Sequence, residues 1–195
     1  METLVPQSRK QQIEDQATAL FRARGYAASS MRDLAAVLGI EAASLYSHIS
    51  SKEEILQTIC FRMADAFFQA IEKLEEPSPD LRLAVAIRAH LKVITRNVDA
   101  SAVFLNEWRH LSEPSLSEFL TLRDQYEQIF VEIIDQGIQM DLFRPVDRKL
   151  AMMTILSSIN WTHQWYNPNG KMTIDEIADQ LSGMLINGII NNHKT

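Results

Sequence analysis

Apolar residues recur at helical spacing through nearly the whole chain, and no alternating pattern competes with them. That constraint limits the fold more than any other feature of the sequence. Ile13, Ala17, Leu20 and Phe21 step by four, three and one, and Met31, Leu34, Ala35 and Leu38 repeat the pattern. Leu56, Ile59, Cys60, Met63, Phe67, Ile71 and Leu74 then hold one face for about five turns. Later stripes are Ala84, Ile87, Leu91, Ile94 and Val98, then Leu116, Phe119, Leu120, Tyr126, Phe130, Ile133 and Ile134, and finally Ile177, Leu181, Met184 and Leu185. Six Gly and six Pro in 195 residues leave few interruptions. The spacing predicts an all-α protein of about nine helices with no sheet.

Start and stop signals divide the stripes. Arg22 and Arg24 before Gly25 end the first helix. Ser30 and Asp33 form a capping box with Asp in place of the usual Glu, and Gly39 stops that second helix. A third short helix is expected from about Ala42 to Ile49, and Ser50 to Glu54 caps a fourth. The run from Glu75 to Pro79 is the clearest break, after which Asp80 is expected to cap a helix. A shorter helix is expected over about Ala102 to Leu111, ended by Glu113-Pro114. The longest is expected from Ser115 to Met140. Pro145 is expected at the first position of a helix reaching about Trp165. Asn167 to Gly170 reads as a turn, and Thr173 to Glu176 caps the last helix, where Gly188 continues the Met184 face.

Net charge is −6, which taken alone argues against nucleic acid. Up to Ile55 there are 6 Lys and Arg against 7 Asp and Glu, and beyond it 13 against 18. Any DNA binding therefore depends on local geometry and a few placed cations. The lone Cys60 cannot form an internal disulfide and reads as an apolar filler. Met1 to Lys10 lacks the apolar run of an export signal, and no stretch approaches the roughly 18 apolar residues of a membrane span. A cytoplasmic protein is expected, and the sequon at Asn160-Trp161-Thr162 is then a chance match.

Two short helices joined across Gly39-Ile40-Glu41 make a helix-turn-helix, braced by the helix over 8–24, with Leu34, Leu38, Ile40 and Leu45 as its small core. Gly25-Tyr26, the run Ser29 to Ala35, Leu38-Gly39-Ile40 and the run Leu45 to Leu56 resemble the DNA-binding domain of TetR-type repressors. The spacing matches without a gap. Its most specific piece is Leu45-Tyr46-Ser47-His48 with Lys52 four residues on. Two positions depart from the family pattern: Glu41 replaces a Ser or Thr, and Ile49 replaces an aromatic.

The resemblance implies that Tyr46 and His48 point at phosphate oxygens and that Lys52 adds a cation. Ser29, Ser30 and the free N–H groups opening the second helix can hold a phosphate. Arg32 can reach a phosphate or a base. Ala42, Ala43, Ser44 and Ser47 offer methyls and hydroxyls to base edges, so these four specify sequence while the others position the protein. Plainer readings stay open: Tyr46 as a core aromatic, His48 as a surface imidazole, Lys52 as a solvated cation, Ser30 as a cap alone.

Residues 1–55 are thus expected to bind DNA, and 56–195 to hold an effector and a homodimer seam formed by the last two helices. Polar groups on otherwise apolar helices mark the effector region: Asn106 to His110, Arg123 to Glu127, and Asn160 to Tyr166. This set is similar to a TetR subgroup that senses acyl-CoA thioesters. The resemblance implies Trp108, Arg109, Tyr126, Asn160, Trp161 and Trp165 as ligand-binding residues. An indole can cover an adenine or pantetheine, and Arg can pair phosphates. Against this stand core or interface roles for Trp161 and Trp165, solvated charges at Glu107 and Arg109, and an intrahelical pair of Arg123 with Glu127.

His90, His110 and His163 lack metal-ligand spacing, so no metal is expected, nor any cofactor or catalytic residue. The leading reading is a repressor that binds a palindromic operator as a homodimer and is released by a small-molecule effector, with no membrane partner. Two rivals are an all-helical enzyme or carrier using His110 or His163 as base with Glu107 as orienter, and a DNA-binding protein without an effector.

Overall fold

A computed structural model describes residues 8–190. The leading segment read above for export signals lies largely outside the described residues. The elements are α1 (Arg9–Arg24), α2 (Met31–Leu38), α3 (Ala42–Tyr46), α4 (Lys52–Ile71), α5 (Pro79–Arg96), α6 (Val98–Glu107), a 3-10 turn (Trp108–His110), α7 (Ser115–Gln139), α8 (Arg148–Asn160), α9 (Thr162–Trp165) and α10 (Ile174–Asn187). Among the described residues no strand forms; one isolated bridge pairs Phe143 with Ile190. The all-α expectation holds.

Packing divides the chain into two compact units. The first holds the residues up to Met63 together with Asp99–Phe119; the second holds Ala64–Val98 and the residues from Leu120 on.

In the first unit, α1 begins at Ser8, whose hydroxyl accepts from the Gln11 N–H at 3.2 Å. It ends at Gly25, with φ of 84° and its N–H on the Phe21 carbonyl. The capping box of α2 forms as read: Asp33 N–H donates to Ser30 Oγ, and Ser30 N–H donates to the Asp33 carboxylate. At the other end Gly39 takes a left-handed φ of 65°, so its N–H reaches Ala36 O and the Ile40 N–H reaches Ala35 O. Only glycine adopts that turn without a steric cost, which is why the helix stops there. Ile13, Ala17, Leu20, Phe21, Leu34, Leu45, Ile49, Ile55, Leu56 and Ile59 are buried. Leu38 and Ile40, expected in this core, are only half-buried.

In the second unit α10 packs along α5. Leu83, Ile87, Leu91 and Ile94 on α5 and Ile177, Ala178 and Ile186 on α10 are buried. Arg88 reaches Asp175 and Asp179, and Lys92 reaches Asp175 at 2.9 Å. Burying one aliphatic side chain stabilises by roughly 1.5–3 kcal/mol, whereas an exposed ion pair contributes about 0–1. The apolar residues therefore hold these helices, and the ion pairs add register. Phe143 is 1% exposed and closes against Gly137, where a Cβ would fall 2.1 Å from the ring. Cys60 is buried, and burial pushes its thiol up to about 12, as fits a filler.

Several boundaries differ from the expectations, each for a local reason. α5 starts at Pro79 behind Ser78, because a proline lacks the N–H that the first turn cannot use. α6 starts at Val98, immediately after α5, and gives way to the 3-10 turn at Trp108. α8 starts at Arg148 rather than Pro145, because Asp147 caps it by accepting from the Leu150 N–H at 2.7 Å. The preceding residues pair with the segment that follows α10, where Arg144 N–H donates to Ile189 O. The helix expected to reach Trp165 breaks at Trp161. There His163 Nδ1 donates to the Asn160 carbonyl at 2.6 Å, and the Gln164 N–H turns to Trp161 O instead.

Candidate DNA-binding face and effector site

α3 lies one short turn beyond Gly39 and buries Leu45, with Ile49 just past its end. Those two anchors turn the rest outward. Ala43, Ser44, Tyr46, Ser47 and His48 are exposed, Tyr46 by 53%, and Ala42 is half-buried. The helix proper ends at Tyr46, earlier than expected. Its last turn tightens as the Ser47 hydroxyl donates to Ser44 O and the N–H groups of His48 and Ile49 both reach Leu45 O. Arg32 is exposed on α2. This outward set of small residues, hydroxyls, a phenol and an imidazole suits a DNA groove.

Two predicted residues face inward. Ser29 is buried, its hydroxyl donating to Gly25 O at 2.8 Å. Lys52 is half-buried at the start of α4, with Nζ donating to the carbonyls of Tyr26 and Ser29, each at 2.8 Å. The same ammonium sits 3.9 Å from the centre of the Tyr26 ring. Burial lowers the Lys52 pKa, opposed by the Glu107 carboxylate; burial and then Glu53 raise that of Tyr26. Ser30 is engaged in its capping box, and that hydrogen bonding is the main cause holding the Asp33 carboxyl below its ordinary range.

Segment 99–119 packs in this same unit. Arg22 pairs with Asp99, Tyr26 stacks on His110 with ring centres 5.2 Å apart, and Glu53 accepts from the Ser112 N–H at 2.8 Å. Trp108 stacks on Phe119, and the Arg109 guanidinium lies 4.4 Å from the Trp108 ring centre. The predicted pair Trp108 and Arg109 is thus brought together.

The second unit joins two other predicted residues through one that the sequence reading passed over as a ligand. Tyr126 and Asn160 both meet His90, which is buried. Asn160 Oδ1 lies 2.9 Å from His90 Nε2 and can only accept, so Nε2 carries the proton. Nδ1 is then an acceptor, and the Tyr126 hydroxyl donates to it at 3.0 Å. Phe67 stacks on the imidazole with centres 4.5 Å apart. Burial drives the His90 pKa down to about 4 and raises that of Tyr126. The ring is neutral at pH 7. The available signal was an imidazole set inside the apolar stripe Ile87, Leu91 and Ile94. Trp161 and Trp165 are exposed, by 63% and 47%. Leu150, Met153, Trp161 and Trp165 on α8–α9 and Met184 on α10 are the large exposed apolar groups of these helices. A groove of about 380 Å³ between α8 and α10 is lined by Val146, Leu150, Ile155, Met184, Leu185 and Ile189, among others.

An all-helical chain with a helix-turn-helix whose second helix is turned outward, followed by a larger helical body, defines the class of ligand-responsive transcriptional regulators. Residues 13–59 match the family pattern described as bacterial regulatory proteins, tetR family, and residues 76–189 match that of the tetracyclin repressor-like C-terminal domain. The chain belongs to the TetR family, whose members bind operator DNA and small-molecule effectors, and it is a regulator rather than an enzyme.

Among similar proteins, the HTH-type transcriptional repressor KstR2 of Rhodococcus jostii is 26% identical over 95% of this chain and 93% of the relative. The structure of the ketosteroid transcriptional regulator KstR2 of Mycobacterium tuberculosis superposes with a TM-score of 0.89 at 27% identity, covering 96% of this chain and 98% of that one. The structure of AibR in complex with isovaleryl coenzyme A and operator DNA gives 0.80 at 28% identity, covering 92% and 98%. No helix among the described residues is long and apolar enough to cross a membrane.

Proposed function

We propose that this chain is a cytoplasmic repressor that binds a palindromic operator as a homodimer and is released by an acyl-CoA or aryl-CoA thioester. The observation that carries the reading is its likeness to AibR, a regulator whose structure holds isovaleryl coenzyme A and operator DNA. In the proposal, residues 1–55 dock on DNA. Tyr46 and His48 meet phosphates, Arg32 meets a phosphate or base, and Ala42, Ala43, Ser44 and Ser47 read base edges. Residues 56–195 hold the effector and the dimer seam. The exposed Leu150, Met153 and Met184 support a seam along α8 and α10, where apolar side chains stand in water unless a partner covers them. Tyr126 and Asn160, tied by the neutral His90, supply polar groups in an otherwise apolar body, as a thioester tail would need.

By linkage, an effector that releases DNA binds the free dimer more tightly than the DNA-bound one, by the same factor that operator affinity falls. A duplex selected by the protein from a random pool serves as operator. Titrating a CoA thioester and its free acid into that complex tests the effector class: release by the thioester alone is expected. Release by the free acid alone, or by neither, removes the thioester and leaves the repressor. Met184→Glu with Gly188→Glu is expected to yield monomers by light scattering. A wild type already monomeric at micromolar concentration would remove the seam.

A further inference from the structure

We infer that Lys52 is a positioning residue of the DNA-binding face: its ammonium locks the loop that presents α2, and its donors are spent there instead of on a DNA phosphate. The inference rests on the DNA-binding reading above. An ammonium has three N–H donors and no acceptor. Two of them reach the carbonyls of Tyr26 and Ser29 at 2.8 Å, and the Tyr26 ring lies 3.9 Å from the nitrogen. Two carbonyl dipoles and the face of one aromatic ring hold the ammonium on the loop side. The direction is inward, whereas Tyr46 and His48 are exposed.

What the ammonium holds is the connection from α1 to α2. That loop leaves α1 at Gly25 with φ of 84° and closes a turn with the Ser29 N–H on Tyr26 O. Its other bonds are local: the Ser29 hydroxyl on Gly25 O is four residues away. The bonds from Lys52 span 26 and 23 residues and tie the loop to the first turn of α4. Ser30, the next residue, is the cap of α2. Fixing Ser29 therefore fixes where α2, and Arg32 on its first turn, begin relative to α4. A compact ammonium with a freely rotating head suits this notch better than a planar guanidinium.

The test uses full-length Lys52→Met and a duplex that the wild type selects from a random pool, with binding followed across a salt series. Loss of a phosphate contact lowers the slope of log K against log salt by about 0.9. A positioning role predicts a Kd raised about tenfold at every salt with the slope kept, since a geometric fault is not screened. Arg9→Gln, which removes one exposed charge of the same unit, measures the slope change that charge loss alone produces.

In the free protein, amide exchange of residues 27–30 is expected to quicken at least about tenfold in Lys52→Met, while the buried turns of α1 and α4 keep their protection. Lys52→Gln, which retains one donor pair on a shorter stem, takes its place if the Met variant does not fold. A slope lowered by about 0.9 beyond the Arg9→Gln change, unchanged loop exchange, or unchanged affinity each overturns the inference. A wild type that selects no duplex overturns the DNA-binding reading itself, so the two failures are distinguishable.

Discussion

The polar groups of the helix-turn-helix and those inside the larger helical unit are satisfied in opposite ways. At the starts of α2 and α4 the caps pair within three residues, Ser30 with Asp33 and Ser51 with Glu54, both at the surface. In the second unit Tyr126, His90 and Asn160 satisfy one another across separations of 36 and 70 residues, against aromatic rings. A local cap can be replaced by water at small cost. A buried triad has no such substitute, because an unpaired buried group bears its full desolvation penalty. The two regions should therefore answer very differently to mutation and to acid.

The largest effect belongs to His90. Its folded pKa of about 4 lies below the ordinary 6.5, so the unfolded chain takes up the proton first. The associated stability is complete above about pH 6.5 and is lost as pH falls toward 4, amounting to roughly 3 kcal/mol. Chemical denaturation between pH 7 and 4 should show that loss, and His90→Gln should flatten it; a parallel decline in both proteins would assign the acid sensitivity elsewhere.

Next is Tyr126→Phe, which strips the donor from His90 Nδ1 and should cost about 2 kcal/mol, read as a lower urea midpoint. Ser30→Ala removes the cap of α2 and should cost about 1 kcal/mol, with the Asp33 carboxyl moving back toward its ordinary range by NMR titration. If Ser30→Ala proves the costlier of the two, the contrast between local and buried pairing is wrong. The smallest effect is expected at Arg88→Ala: its pairs with Asp175 and Asp179 are at the surface, and a change within about 0.5 kcal/mol is expected in a melting scan.

Features written into consecutive residues were legible in the sequence. The capping boxes at Ser30 and Thr173 and the left-handed stop at Gly39 depend on neighbours within four positions, and all three form as read. The break at Trp161 was not legible, because it comes from a histidine side chain taking a carbonyl three residues back, an arrangement with no distinctive spacing. The start of α8 was misjudged for a related reason: Pro145 is permitted at a first turn, but Asp147 accepts the Leu150 N–H and wins. For the candidate sites, the outward residues of α3 followed from the positions of Leu45 and Ile49. The inward turn of Lys52 and the role of His90 depend on partners more than twenty residues away, and nothing in the periodicity reports those. Gly137 was equally silent, since only the folded Phe143 ring shows why a side chain is excluded there.

The return of segment 99–119 to the N-terminal helices bears on modularity. A chimaera that grafts only the first 63 residues onto a foreign body leaves behind Asp99, His110 and Ser112, the partners of Arg22, Tyr26 and Glu53. The graft would carry the reading helix intact but arrive with an orphaned arginine, an uncovered tyrosine and an idle carboxylate. Engineers exchanging heads among such regulators would need to transplant two stretches of chain, and natural recombination faces the same barrier: a single crossover cannot deliver a discontinuous unit.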